Sequence, residues 1–214
     1  MCGINGIISK DKNKDKLIKS MNEKILHRGP DAEGIFVEGD VALGQRRLSI
    51  IDLAGGNQPI YNEDKSILIM YNGEVYNYKE LKEELTEYKF ETESDTEVVL
   101  HGYEKWGHDL PKKLRGMFAF VIWDKKIKTL FGARDFFGIK PFYYTIINNT
   151  FVFASEIKAL FQFPNVNPKM DSMGICELIG IGPAHTPGVT VFKDIYEIKP
   201  AHYGIYSDGG FHSK

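Results

Sequence analysis

The chain divides by its apolar spacing into short segments. "CGINGIIS" is a near-continuous apolar run and predicts a strand. Leu17, Ile18, Met21 and Ile25 then recur at helical spacing behind a lysine-rich start, which predicts a helix ending near "HRGPD". "GIFVE", "VALGQ" and "SILIMY" predict strands, separated by Gly-, Asn- or Pro-containing turns. "NYKELKEELTE" and "DTEVVLHGYEKW" predict a pair of helices. A meander follows in "MFAFVIWD", "KTLFGARD", "PFYYTII" and "TFVFAS", rich in aromatic and β-branched residues and broken by turns such as "NN". "SEIKALF" and "SMGICELIG" read as helices and "HYGIYS" as a last strand.

Strands in meanders with helices in pairs favour antiparallel sheets over a βαβ pattern. Several strands are apolar on both faces, so both faces must be covered. Two packed sheets with helices outside satisfy that, which makes the expected fold class an α+β sandwich. No internal repeat and no Pro/Ser-rich linker divides the sequence, so residues 1–214 are expected to form a single domain.

Composition narrows the function classes. Hydrophobic residues make up 43% of the 214, including 14 Phe and 11 Tyr, enough bulk for a sizeable core. The 27 basic and 29 acidic residues nearly balance, which speaks against nucleic acid or a membrane surface as partner. The alternating charges of "KDKNKDK" read as a solvated helix entrance. The start lacks a signal-peptide pattern, and the longest apolar run, "MFAFVIW", is far shorter than the ~20 residues of a membrane span. Cys2 and Cys176 are the only cysteines and make no disulfide framework. The expectation is a reduced, cytoplasmic protein.

Cys2 carries the first chemical question. It reads equally as a small buried hydrophobe on the first strand and as a nucleophile. Removal of Met1 gives Cys2 a free α-amine, a group with pKa about 7.7–8.0 that can accept the thiol proton. With Met1 attached the same nitrogen is an amide, and the chain is expected to be inactive.

Further along, "HRGPD", "RRLSIID", "YNGEVYN" and "SDTEVVL" follow "MCGINGI" in the order and approximate spacing of glutamine amidotransferases with an N-terminal cysteine. The pattern resembles the glutaminase domain of glutamine-hydrolysing asparagine synthetases. "GMFAFVIWD", "ARDFFGIKPFYY" and "ASEIKAL" extend the resemblance over nearly the whole chain. It implies an N-terminal-nucleophile hydrolase fold, layered α, β, β and α, in agreement with the sandwich read from the strands.

The resemblance also implies roles. Cys2 attacks the side-chain amide of L-glutamine, giving a glutamyl thioester and ammonia, and water releases glutamate. The Asn72 side chain and the Gly73 N–H form the oxyanion hole, although Asn-Gly alone reads more simply as a turn. Arg47 clamps the substrate α-carboxylate, a bidentate task for a guanidinium. Neighbouring side chains on an extended segment face opposite ways, so Arg46 is then a solvated or structural charge. Asp95 meets the substrate ammonium with Glu74 as second partner, though Asp95 alone reads as a helix N-cap. Backbone groups of Leu48, Ser49, Ile50 and Ile51 line the pocket.

Other residues are assigned to structure. His27, Arg28 and Asp31 of "HRGPD" are expected to scaffold a loop, Cys176 to lie in the core, and Arg134 and Asp135 to form a buried pair near the site without chemistry. No histidine has a zinc-type spacing, so no metal is expected. No "SGGxDS"-type pyrophosphate loop and no Walker A motif occurs, and "SDGG" reads as a turn. ATP and Mg are therefore expected only for a synthetase domain or subunit outside this chain, which would receive the ammonia and amidate aspartate. A homodimer is left open. The alternatives are a glutamine-sensing or partner-docking module without turnover, another amide hydrolase, and a glutaminase serving another acceptor.

Overall fold

The computed structural model describes residues 1–53, 55–182 and 186–214. The chain opens with β1 (Gly3–Ile8), α1 (Lys14–Lys24), β2 (Ala32–Glu38) and β3 (Val41–Arg47), followed by β4 (Ile60–Tyr61) and β5 (Ile67–Val75). Helices α2 (Tyr78–Glu84), α3 (Asp95–Trp106) and α4 (Leu110–Lys113) come next. The meander is β6 (Gly116–Asp124), β7 (Thr129–Arg134), β8 (Tyr143–Ile147) and β9 (Thr150–Ala154). Helices α5 (Ile157–Leu160) and α6 (Ser172–Ile181) precede β10 (Tyr196–Glu197), β11 (Tyr203–Ser207) and β12 (Gly210–Ser213).

Each segment marked by the apolar pattern forms the expected element. The strands β4 and β10 were not legible because two residues carry no periodicity. "HYGIYS" is followed by one more strand, β12, across a turn in which Asp208 and Gly209 both take positive φ. "NN" turns β8 into β9 in the same way, with Asn148 and Asn149 at φ 48° and 58°.

Among the described residues the strands form two six-stranded sheets, ordered β10-β8-β9-β1-β3-β2 and β12-β11-β7-β6-β5-β4, and all their pairings are antiparallel. Side-chain alternation decides the layering. Ile4, Ile8 and Leu43 of the first sheet meet Leu68, Met70, Ala119 and Val121 of the second in one core. The intervening positions face outward. Ile7 and Ala42 pack under Ile18, Met21 and Ile25 of the α1 region and Ala159 and Leu160 of α5. Ile69, Tyr71, Phe118 and Phe120 pack under Leu81 of α2, Val98 and Val99 of α3 and Leu110 of α4. The order is therefore helix, sheet, sheet, helix. No helix among the described residues is long and apolar enough to cross a membrane.

One expectation about the core fails. Cys176 is exposed, as are Met173, Leu178, Ile179 and Ile181 of the same helix. Only Gly174 of α6 is buried, because its bare Cα lies against the backbone of Thr190 and Val191; a Cβ there would stand 2.5 Å from the Thr190 carbonyl oxygen. An apolar composition did not make this helix a core element, since most of its apolar side chains face outward.

Candidate active site

Alternation also aims the chemical groups. On β3, Leu43, Gln45 and Arg47 face the gap between the sheets, while Arg46 turns to α1, where its Nε donates to the Asn22 carbonyl at 3.4 Å. On β5 the inter-sheet face runs Leu68, Met70, Asn72. Register pairs Gly3 with Arg46, so one step further Cys2 lies opposite Arg47. Cys2, Arg47 and Asn72 thus converge at one open end of the gap. They line a single cleft of about 540 Å³, including its part open to solvent, together with Leu48, Ile50, Ile51, Gly73, Glu74 and Asp95. Ser49 is outside that lining: its N–H donates to Asp31 Oδ2 at 2.8 Å, which fixes the loop instead.

Cys2 is held on both sides of its Cα. Leu48 N–H reaches the sulfur at 3.3 Å, and the thiol lies 3.5 Å from the Leu48 carbonyl. Arg28 Nε donates to the Cys2 carbonyl at 2.8 Å, and Arg28 Nη1 pairs with Glu156 at 3.0 Å. His27 joins the same carboxylate at 2.8 Å. The scaffold reading of "HRGPD" thus acquires contacts: Arg28 anchors the Cys2 backbone and Asp31 the loop beside it. Met1, more than half exposed, sits at the cleft wall.

Asn72 and Gly73 form no turn; both lie inside β5, paired with Ala119 and Phe118. Gly73 is not among the positive-φ glycines. Its reason is close approach: a Cβ would run into the Met117 carbonyl and come within 2.7 Å of Phe118 Cα. Asn72 is 1% exposed, and its Nδ2 has no hydrogen-bond partner. A buried unpaired amide donor costs about 1–3 kcal/mol, so it points to a missing acceptor. Along the same strand edge, Tyr71 N–H donates to Gln58 Oε1 at 2.6 Å and Val75 N–H to Asp95 Oδ2 at 2.8 Å. Alternation puts the Gly73 N–H on that edge between them.

Asp95 does not cap α3; Ser94 does, its side chain accepting from Thr96 N–H. Asp95 is turned inward at 3% exposure, and its Oδ2 also accepts the Tyr71 hydroxyl at 2.7 Å. Burial pushes its carboxyl above the usual range, against the pull of the Val75 and Tyr71 donors. Arg47 is 4% exposed and grips the following loop. Its Nη1 reaches Leu53 O (3.3 Å) and Asn57 Oδ1 (2.9 Å), and its Nη2 reaches Ile51 O (3.0 Å) and Asp52 O (2.5 Å). Gly56 makes room, since a Cβ there would lie 2.5 Å from Nη2.

Sequence reasoning missed Gln58, Tyr71 and Lys140, all of which line the cleft. Tyr71 and Lys140 lie within the quoted strings "YNGEVYN" and "ARDFFGIKPFYY", but no spacing along the chain says that their side chains reach the cleft. The expected Arg134–Asp135 pair is not formed. Arg134 pairs instead with Glu197 at 2.8 Å, and Asp135 accepts backbone N–H groups of Phe118, Phe137, Ile139 and Lys140. Adjacent strand residues point apart, so these two side chains cannot meet. Away from the cleft, Glu63, His101 and Glu104 bring donor atoms within 4.8 Å of one another, a grouping no linear spacing announced. His101 Nδ1 lies 2.7 Å from Glu104, while its Nε2 is buried without a hydrogen-bond partner and faces the Glu97 carboxylate at 3.7 Å.

Comparison with known proteins follows the same lines. A family model described as a glutamine amidotransferase domain matches residues 1–214. The chain is 42% identical over 218 residues to asparagine synthetase [glutamine-hydrolyzing] 3 of Bacillus subtilis, covering 98% of this chain and 35% of that protein. It is 51% identical over 172 residues to asparagine synthetase [glutamine-hydrolyzing] 1 of the same organism, covering 77% and 27%. This chain therefore spans about a third or less of the length of these curated relatives. In structure it resembles the glutamine phosphoribosylpyrophosphate amidotransferase of B. subtilis, with a TM-score of 0.73 at 22% identity, covering 100% of this chain and 49% of that one. That likeness supports the layered fold.

Proposed function

The chain belongs to the glutamine amidotransferase domain family, and from that premise we propose that it hydrolyses the side-chain amide of L-glutamine to glutamate and ammonia through Cys2. The observation that carries this reading is a thiol and an unpartnered, buried amide donor, Asn72 Nδ2, lining one cleft. Loss of Met1 frees the Cys2 α-amine. The amine takes the thiol proton, and the thiolate sulfur then bonds to the amide carbon as the carbonyl oxygen becomes an oxyanion. Asn72 Nδ2 and Gly73 N–H donate to that oxygen, a contribution worth about 2.7–4 kcal/mol per donor. The C–N bond then breaks as the α-amine returns the proton to the leaving nitrogen. Ammonia departs and a glutamyl thioester remains. Water, deprotonated by the same amine, adds to the thioester, and the C–S bond breaks to regenerate Cys2.

Specificity for the free amino acid follows from charge. Arg47 offers a guanidinium to the α-carboxylate; Asp95 and Glu74 offer carboxylates to the α-ammonium. A site that buries both partners rejects analogues lacking either end. Hydrolysis itself consumes only water. In this reading the ammonia passes to an ATP- and Mg-dependent synthetase domain or subunit for amidation of aspartate, and the protein acts in the cytoplasm.

The test is glutamate release from glutamine by protein whose intact mass shows Met1 removed, with Cys2→Ala beside it. Cys2-dependent glutamate is the expected result. Binding of glutamine without turnover in the processed chain would overturn the hydrolase reading in favour of a sensor.

A further inference from the structure

Lys140 poses a problem that the reading above leaves unsolved. It is 4% exposed and lines the cleft that holds Cys2. Among the described residues its ammonium has no hydrogen-bond or ion-pair partner, although buried charges are ordinarily paired. A methionine would fill the same space without the cost of burying a charge.

The fold has nevertheless built a rigid mount for it. Asp135, wholly buried, accepts the Lys140 N–H at 2.9 Å, and Arg134 Nε donates to the Lys140 carbonyl at 2.8 Å. Pro141 follows and restricts Lys140 to extended backbone. Both main-chain polar groups are thus locked by buried ionic side chains, while the side chain projects from a fixed point. Such a mount serves a group whose position matters.

The charges around it define what it can serve. Arg28 comes from the turn after α1, Arg47 from β3, Glu74 from β5, Asp95 from α3 and Asp135 from the loop after β7. Burial draws the Lys140 ammonium below its usual range and Arg28 draws it further, whereas Cys2, Asp135 and Glu74 draw it back up. Asp135 is spent on four backbone N–H groups. Two anions form only during the reaction: the carbonyl oxyanion, which already has Asn72 Nδ2 and the Gly73 N–H as donors, and the sulfur of Cys2, which lines the cleft with Lys140. We propose that Lys140 is a positioning residue that acts through Cys2, its fixed ammonium holding negative charge on the sulfur between proton loss and thioester formation. This rests on Cys2 being the nucleophile, but its test needs no turnover.

Cys176 is exposed, so the measurement uses Met1-free protein carrying Cys176→Ser, in which Cys2 is the sole thiol. The pH dependence of its alkylation by iodoacetamide is compared with that of the same protein carrying Lys140→Met or Lys140→Arg. The expected result is a profile moved upward by about 1 pH unit in the Met variant, with alkylation at pH 7 slowed about tenfold, and a profile near the parent in the Arg variant. Melting curves establish that each variant is folded. Should the Met variant fail to fold, the reciprocal measurement decides: Cys2→Ser must lower the titration midpoint of the Lys140 side chain, followed by its 13Cε shift, because coupling between two sites is mutual. An unmoved alkylation profile, or an unmoved lysine midpoint, overturns the proposal. So does a Met variant whose only defect is a raised KM for glutamine, which would make Lys140 a substrate contact. Failure of glutamate release with the alkylation shift intact would instead remove the hydrolase reading, and with it the thioester step, while leaving the coupling of Lys140 to the Cys2 sulfur shown.

Discussion

Two loops leave the same end of the sandwich, and each is gripped by the arginine that closes its strand. Arg134 at the end of β7 donates to Gly138 and Lys140 carbonyls and to Ile198 O across the gap, and it pairs with the buried carboxylate of Glu197. Arg47 at the end of β3 donates to three loop carbonyls and the Asn57 amide, and among the described residues it has no carboxylate partner. The device is the same and the charge balance is not. One guanidinium is neutralised and serves the fold; the other keeps its positive charge beside the cleft, available to an anion. Lys140 follows the second pattern. His101, flanked by Glu97 and Glu104, follows the first.

The sharpest way to break this contrast is Arg134→Leu. It takes the guanidinium from Glu197 and from the Gly138 and Lys140 carbonyls, so a loss of about 3–5 kcal/mol in urea unfolding is expected, with activity falling alongside stability. A loss below about 1 kcal/mol would mean that the pair does not organise the fold.

Arg47→Leu should separate the two quantities. Glutamine KM is expected to rise by roughly 10–100-fold, the worth of about 1.5–3 kcal/mol for a charge-assisted bond, with a smaller change in unfolding. Steady-state kinetics together with a melting curve distinguish this from a loop that has simply collapsed.

The gentlest test uses His101. Burial alone would lower its pKa, but the bond to Glu104 and the charge of the nearby Glu97 carboxylate hold it at about 9 against an ordinary 6.5. A folded pKa above the unfolded one means that the stabilisation is complete below about pH 6.5 and fades as pH rises through about 9. His101→Gln should flatten the stability profile over that interval and leave glutamine kinetics unchanged. Unfolding midpoints at pH 6, 7.5 and 9 check it.

Much of this was legible in the chain. Two-sided apolar strands such as "MFAFVIWD" demanded cover on both faces, and the structure supplies it. Period-two alternation separated Arg47 from Arg46 correctly, because it is a property of the local backbone. Other local readings failed: the apolar stretch around Cys176 placed it in the core, and it lies exposed on α6. Local signals also gave Asn72–Gly73 as a turn and Asp95 as a cap when read without context. Those errors share a cause: a turn signal or a cap signal reports what a residue can do alone, and a neighbouring strand or helix then chooses otherwise.

From the sequence alone came the layer order and the strings shared with a known family, since both depend on residue type and short spacing. Tertiary structure alone decided which buried cations are neutralised. Arg134 finds Glu197 sixty-three positions away, and Lys140 reaches the Cys2 cleft from the connection between β7 and β8. Charge pairing is set by distance through space, and in an antiparallel sandwich that distance has no fixed relation to distance along the chain.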